Sequence, residues 1–99
     1  MTDLEKRIQD IEDRAALERV LQRYYAAVDS MRDIEGLLGC FTPDAVFDVV
    51  DLGLPLLKGH EAIRAFFRGV FDETLYHVHH VTNFRVSRLA GDEATGHGY

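Results

Sequence analysis

The sequence predicts an α+β domain, and three observations predict it. Helix-period apolar stripes occupy the first 40 residues, and a further one covers 61–71. Runs rich in valine, phenylalanine and tyrosine occupy 45–51 and 76–89. The order is helix, helix, two strands, helix, hairpin, with no strand–helix–strand alternation of the kind that builds a parallel sheet. Ninety-nine residues make one domain, 1–99, with room for a single modest core.

The elements follow in order. Leu4, Ile8, Ile11 and Ala15 form a first helical stripe. Its phase slips before Leu17, which predicts a bend near Asp13 or two helices meeting there with Asp13 as N-cap. An amphipathic arm such as 2–12 packs either on its own domain or on a partner subunit. Leu17, Leu21, Tyr24, Val28 and Met31 form the second stripe, the one around which the chain is organised. Asp33 can cap a short helix over 33–41, which Thr42-Pro43-Asp44 breaks. Residues 45–51 read as a strand, Gly53 and Pro55 as a turn, and 56–58 as a second short strand. Ile63, Phe66, Phe67 and Val70 mark a helix over 61–71, with His60 just before it as a surface residue. Residues 76–89 read as one long strand: Tyr76, Val78, Phe84 and Val86 on one face, His77, His79, Val81, Asn83 and Arg85 on the other. A bulge near His79-His80 would switch those faces. Ala90-Gly91-Asp92 is a hairpin turn, and 93–99 begins the returning strand. That last strand would leave an unpaired edge, so we expect a longer domain or an edge paired by a second chain.

Composition narrows the function. An apolar fraction of 46% with ten aromatic residues excludes a disordered tail. A net charge of −6 argues against nucleic acid and anionic membranes, which require clustered Lys and Arg. No apolar run is long enough to span a bilayer or serve as a signal sequence. Cys40 is the lone cysteine, in the apolar run LLGCF. It predicts a buried, inert thiol and a reducing, cytoplasmic setting.

Two groups of polar residues stand out. Asp29 ends the organising stripe and lies one turn after Tyr25, about 40° away around the helix. An acid at the rim of an apolar face is either a solvated helix-end residue or the floor of a pocket. His77, His79 and His80 lie together, but strand alternation puts His80 opposite the other two, and no H-E-x-x-H or cysteine pair supports a metal. We expect no metal and no cofactor.

The segments IEDRAALERVLQRYYAAVD, LLGCFTPDAVFDV, LLKGHEAIRAFF and HHVTNFRV followed by GDEATGHGY, taken in that order, resemble a SnoaL-like domain of the nuclear transport factor 2-like superfamily. The resemblance implies a cone-shaped fold, with N-terminal helices packed on a curved antiparallel sheet around a pocket. It also implies a homodimer or higher homo-oligomer, and further sheet strands after the equivalent of Tyr99. Its dehydratase-like and dehydrochlorinase-like enzymes pair an Asp at the end of the long early helix with a His on the first long strand. Here those positions are Asp29 and His79, the latter beginning the H-x-x-x-N pattern that ends at Asn83. A Tyr five residues before the Asp matches Tyr24, while Tyr25 shares the edge of Asp29, so both stay open.

The resemblance thus implies a cofactor-independent lyase or isomerase acting on a small hydrophobic molecule. Imidazole suits a base working near neutral pH. A carboxylate fixes its tautomer, and a phenol steadies charge growing on a carbonyl oxygen. The catalytic candidates are Asp29, His79 and Tyr24. Candidates for lining the pocket are Tyr25, Phe47, Phe67, His80, Asn83 and His97, with His80 as substitute base. The alternatives are a non-catalytic ligand-binding or dimerisation module of the same fold, or a structural partner like the small subunits of ring-hydroxylating dioxygenases.

Overall fold

Residues 3–30 contain neither glycine nor proline. In the computed structural model, which describes residues 1–99, they form one continuous helix, α1 (Asp3–Ser30). A capping box starts it: the Glu5 N–H donates to Thr2 Oγ1 at 3.1 Å, and the Thr2 N–H donates to the Glu5 carboxylate at 3.4 Å. The expected break near Asp13 is absent. Asp13 sits inside the helix and accepts a hydrogen bond from the Gln9 amide at 2.8 Å. A slip in apolar phase does not break a helix when every backbone bond can still form; it moves the stripe to another face. At 3.6 residues per turn the Leu4/Ile8/Ile11/Ala15 stripe and the Leu17/Leu21/Tyr24/Val28/Met31 stripe point about 150° apart.

The chain divides into two units, Arg23–Val78 and Met1–Gln22 with His79–Tyr99, and α1 contributes to both. In the Arg23–Val78 unit, α1 ends at Ser30, whose hydroxyl donates to the Ala27 carbonyl at 2.7 Å. The second helix, α2 (Ile34–Leu38), is capped as expected, the Gly36 N–H donating to Asp33 Oδ1 at 2.9 Å. Gly36 suits that cap because a Cβ there would collide with the capping carboxylate. Strand β1 (Val46–Phe47) pairs antiparallel with β2 (Leu57–Lys58) in the register Val46 to Lys58 and Phe47 to Leu57. The strand expected over 45–51 stops early because the Asp48 carboxylate accepts the Val50 N–H at 3.2 Å, an Asx turn that leads into a 3-10 turn, Val50–Leu52.

Gly59, at φ +82°, donates its N–H to the Ala45 carbonyl at 2.8 Å, so one residue extends the ladder and opens α3 (Gly59–Glu73). His60 is not a surface residue. It is half-buried in the first turn of α3, and its Nε2–H donates to the Phe41 carbonyl at 2.9 Å. Ala27, Val28, Leu37, Leu38, Ile63 and Phe67 form the buried core, with Leu37 and Ile63 fully enclosed. At its edge Arg64 binds Glu35 of α2 at 3.0 Å and Glu61 of its own helix. The hydrogen bond to Glu35 is the first cause that raises the Arg64 pKa above its ordinary value.

The other unit joins the start of α1 to a hairpin, β3 (Arg85–Ala90) and β4 (Glu93–His97), turning at Gly91 with φ +59°. The register runs from Arg85 opposite His97 to Ala90 opposite Glu93, with a bulge at Ser87 between Val86 and Arg88. The bulge lies here, not at His79-His80. It puts Val86 and Leu89, three residues apart, both in half-buried positions. The Ser87 hydroxyl secures it by donating to the Thr95 carbonyl at 3.1 Å. The strand expected from residue 76 begins only at Arg85. Asn83 takes a left-handed φ of +55°, which ends extended pairing. Before it, Thr82 exchanges two backbone hydrogen bonds with Tyr99, and residues 77–81 join no ladder. No residue of this unit is buried. No helix of the chain is long and apolar enough to cross a membrane.

Candidate functional site

The aromatic wall of the Arg23–Val78 unit grows from α1. Tyr24 and Tyr25 are adjacent and both half-buried, their rings 5.1 Å apart and tilted. Tyr24 presents its ring edge-on to Phe41 at 5.7 Å and to Phe67 at 6.2 Å. Phe47 then meets Phe41 at 6.0 Å and Phe67 at 5.4 Å. Offset and edge-on rings at these separations are the favoured aromatic geometry. Three of the expected residues, Tyr24, Phe47 and Phe67, are therefore brought together, with Phe67 sealed in the core and Phe47 half-exposed at its edge.

Burial pushes the Tyr24 phenol up to about 12, and the neighbouring Tyr25 and Cys40 add to the effect. At neutral pH the hydroxyl is protonated, as any phenol is, and can donate a hydrogen bond. Asp29 is half-buried on the same helix, one turn after Tyr25. Cys40 is half-buried rather than enclosed. Its thiol donates to the Gly36 carbonyl at 3.5 Å, and it lines a cleft of about 430 Å³ with Arg23, Ala26, Asp33 and Gly39.

In the second unit, His79 and His80 are exposed and lie on the stretch that joins no ladder. Strand parity therefore does not sort them onto two faces. Asn83 lines a groove of about 300 Å³ with Glu18, Leu21, Gln22, Val81 and Phe84. His97 is exposed on β4. Its Nε2 accepts from Arg85 Nε at 2.8 Å, and its ring stands edge-on to Tyr99 at 6.1 Å. Arg85, itself exposed, is thus hydrogen-bonded across the hairpin. A larger groove, about 350 Å³, has Leu17, Val20 and Leu89 as its floor and Asp13, Asp92 and Glu93 at its rim. No three His, Cys, Asp or Glu side chains come together as a metal-ligand set.

Phe41 and His60 are the residues that sequence reasoning undervalued. Phe41 was readable only as the apolar side of a short helix, yet it carries a ring contact to Tyr24 and the carbonyl that His60 binds. The available signal was its place immediately before the Thr-Pro-Asp break, where a chain leaving a helix must turn over its neighbours.

The model of the family described as SnoaL-like domain matches residues 9–99. The chain is also similar to a crystal structure from Novosphingobium aromaticivorans, of a protein provisionally named an aromatic ring hydroxylase. The identity is 44% and the TM-score 0.86 over 90% of this chain, which spans 62% of that protein. No curated protein matches the sequence.

Proposed function

The chain belongs to the SnoaL-like domain family and has its nuclear transport factor 2-like α+β fold, and from that premise we propose a cofactor-independent lyase or isomerase acting on a small hydrophobic carbonyl compound. In this reading the His79 imidazole takes a proton from the carbon next to the carbonyl. The C–H electron pair forms the new double bond, and the hydroxyl on the next carbon leaves with its bonding pair, taking the proton back from the imidazolium to depart as water; in an isomerisation the proton instead returns to another carbon. Asp29 holds the imidazole tautomer and stabilises the imidazolium. Tyr24 or Tyr25 donates a hydrogen bond to the carbonyl oxygen as charge grows there. His80, Asn83 and His97 contact the substrate, and Phe47 forms its apolar wall with Phe67 packed behind it in the core.

The observation that carries this reading is Tyr24. Its phenol is half-buried, set in an aromatic wall, on the same helix as a half-buried acid. The test is turnover of β-hydroxy carbonyl compounds, followed by the absorbance of the conjugated product. His79→Ala and Asp29→Asn should each lower the rate by about 10²–10⁴-fold, the usual worth of general-base catalysis. Loss on His80→Ala but not His79→Ala moves the base to His80. Binding without turnover replaces the enzyme by a ligand-binding module.

A second reading, also a proposal, is a structural partner of a ring-hydroxylating enzyme, the reaction class named for the similar Novosphingobium protein. Val46, Val50, Leu52 and Leu56 stand exposed along β1 and the following turn, an apolar surface such a partner would cover. Co-purification with an oxygenase catalytic chain, lost on Leu52→Asp, would support it.

A further inference from the structure

The start of α1 carries an apolar stripe that its own chain leaves bare. Leu4 is 63% exposed, Ile8 48% and Ile11 67%. The helix is continuous, so this stripe points about 150° away from the stripe that packs inward further along. No bend can bring it back. Leu4, Ile8, Ile11 and Ala15 are spaced four, three and four residues apart, which is the seam of a heptad repeat. With Ile8 and Ala15 at a, and Leu4 and Ile11 at d, the flanking positions are Glu5 and Glu12 at e and Arg7 and Arg14 at g.

The charges choose the occupant. In a parallel pair of identical helices, g of one heptad faces e of the next on the partner. Arg7 then faces Glu12 of the second copy, twice by symmetry. An antiparallel pair would set arginine against arginine and glutamate against glutamate. Arg7 and Glu12 are exposed and take no part in the ion pairs of the chain, Arg14–Asp10, Arg64–Glu35 and Arg64–Glu61. The next g-to-e step would oppose Arg14 and Arg19, but the apolar stripe leaves this face at Ala15. Arg14 is already held by Asp10 at 2.8 Å.

We infer that residues 4–15 of α1 are a self-recognition arm that pairs in parallel, in register, with the same arm of a second copy of this chain. The contact is short, barely two heptads, and isolated helices of that length are marginal in water. Here the arm is already ordered as the first part of a 28-residue helix, so association need not supply its helix nucleation. The inference does not rest on the catalytic reading, because no residue of the arm belongs to the proposed site.

The experiment is sedimentation equilibrium of the whole chain at up to about 100 µM, a range suited to a contact of this size. A dimer is expected. Ile8→Asp with Ile11→Asp should weaken it by about 100-fold or more, since both residues are lost from each arm. Arg7→Glu should weaken it by about tenfold at low salt, turning two attractions into two repulsions. Adding Glu12→Arg should restore it. Orientation is read by disulfide formation in a Cys40→Ser background. Ile11→Cys should cross-link to itself. A monomer throughout, a dimer indifferent to Ile8→Asp with Ile11→Asp, or cross-linking only between Ile8→Cys and Ile11→Cys chains, the antiparallel signature, each overturns the inference. Because the substitutions in the arm lie on an exposed face, circular dichroism unchanged from the parent chain separates lost pairing from lost folding.

Discussion

The two units of the chain reverse the usual relation between β-pairing and burial. The Met1–Gln22 and His79–Tyr99 unit has the longer ladder, with five paired positions, yet none of its residues is buried. The Arg23–Val78 unit has a two-residue ladder and holds the entire core. The difference teaches what stabilises each. Backbone hydrogen bonds made on folding largely replace bonds to water and add about 1 kcal/mol each. Enclosing a side chain such as Ile63 or Phe67 adds about 1.5–3 kcal/mol. A two-stranded hairpin without a buried side chain is marginal in isolation, whereas three helical segments around Leu37, Leu38 and Ile63 enclose a core.

The contrast breaks most decisively at Phe67. Phe67→Ala removes a ring that touches Tyr24, Phe47, Phe66 and Phe71. It should cost about 3–5 kcal/mol in urea unfolding. Leu89→Ala, in the half-buried hairpin, should cost about 1 kcal/mol. Equal costs would mean that the hairpin carries a core of its own. Hydrogen exchange offers the same comparison without mutation: amides of α3 should exchange far more slowly than those of β4.

Alkaline pH sharpens the contrast next, because Tyr24 ties the core to the candidate site. Its folded-state value of about 12 lies above the free phenol at 10.0, so the fold favours the neutral ring. That contribution is complete below pH 10 and is lost as pH rises from 10 to 12. Unfolding midpoints should fall across that window, and Tyr24→Phe should flatten the fall. Smaller still is the cap of α2. Asp33→Ala should cost about 1 kcal/mol in the same unfolding assay, since the Gly36 N–H loses its acceptor. Smallest is the tie between α2 and α3. Glu35→Gln should cost less than about 1 kcal/mol and lose its effect in high salt, as exposed ion pairs do.

Much of the candidate site was legible for local reasons. Tyr24, Tyr25 and Asp29 lie within one and a half turns of a helix that the apolar period announced, so their shared surroundings follow from spacing alone. Phe47 and Phe67 were readable as apolar and expected to line the pocket; Phe67 is sealed in the core instead. The histidines were not legible in the same way. Sorting His79 from His80 relied on alternation along a strand, and alternation holds only where a strand has a neighbour. Residues 77–81 join no ladder, so the premise fails there. His60 was misjudged because its partner, the Phe41 carbonyl, lies 19 residues back, and a backbone acceptor leaves no mark in a sequence.

By itself the sequence determined the α+β class, the three helices, the Asp33 cap, the hairpin at Gly91 and the inward stripe of α1. Each of these is set by neighbours a few residues apart, through side-chain period, capping hydrogen bonds or the φ freedom of glycine. The tertiary structure alone decided that the first stripe of α1 stays bare. It decided that the bulge falls at Ser87, that the strand after residue 76 waits until Arg85, and that the core belongs to one unit. Those outcomes depend on which segments find a partner across long stretches of chain. Pairing of that kind is settled by competition among all possible contacts, not by any local run of residues.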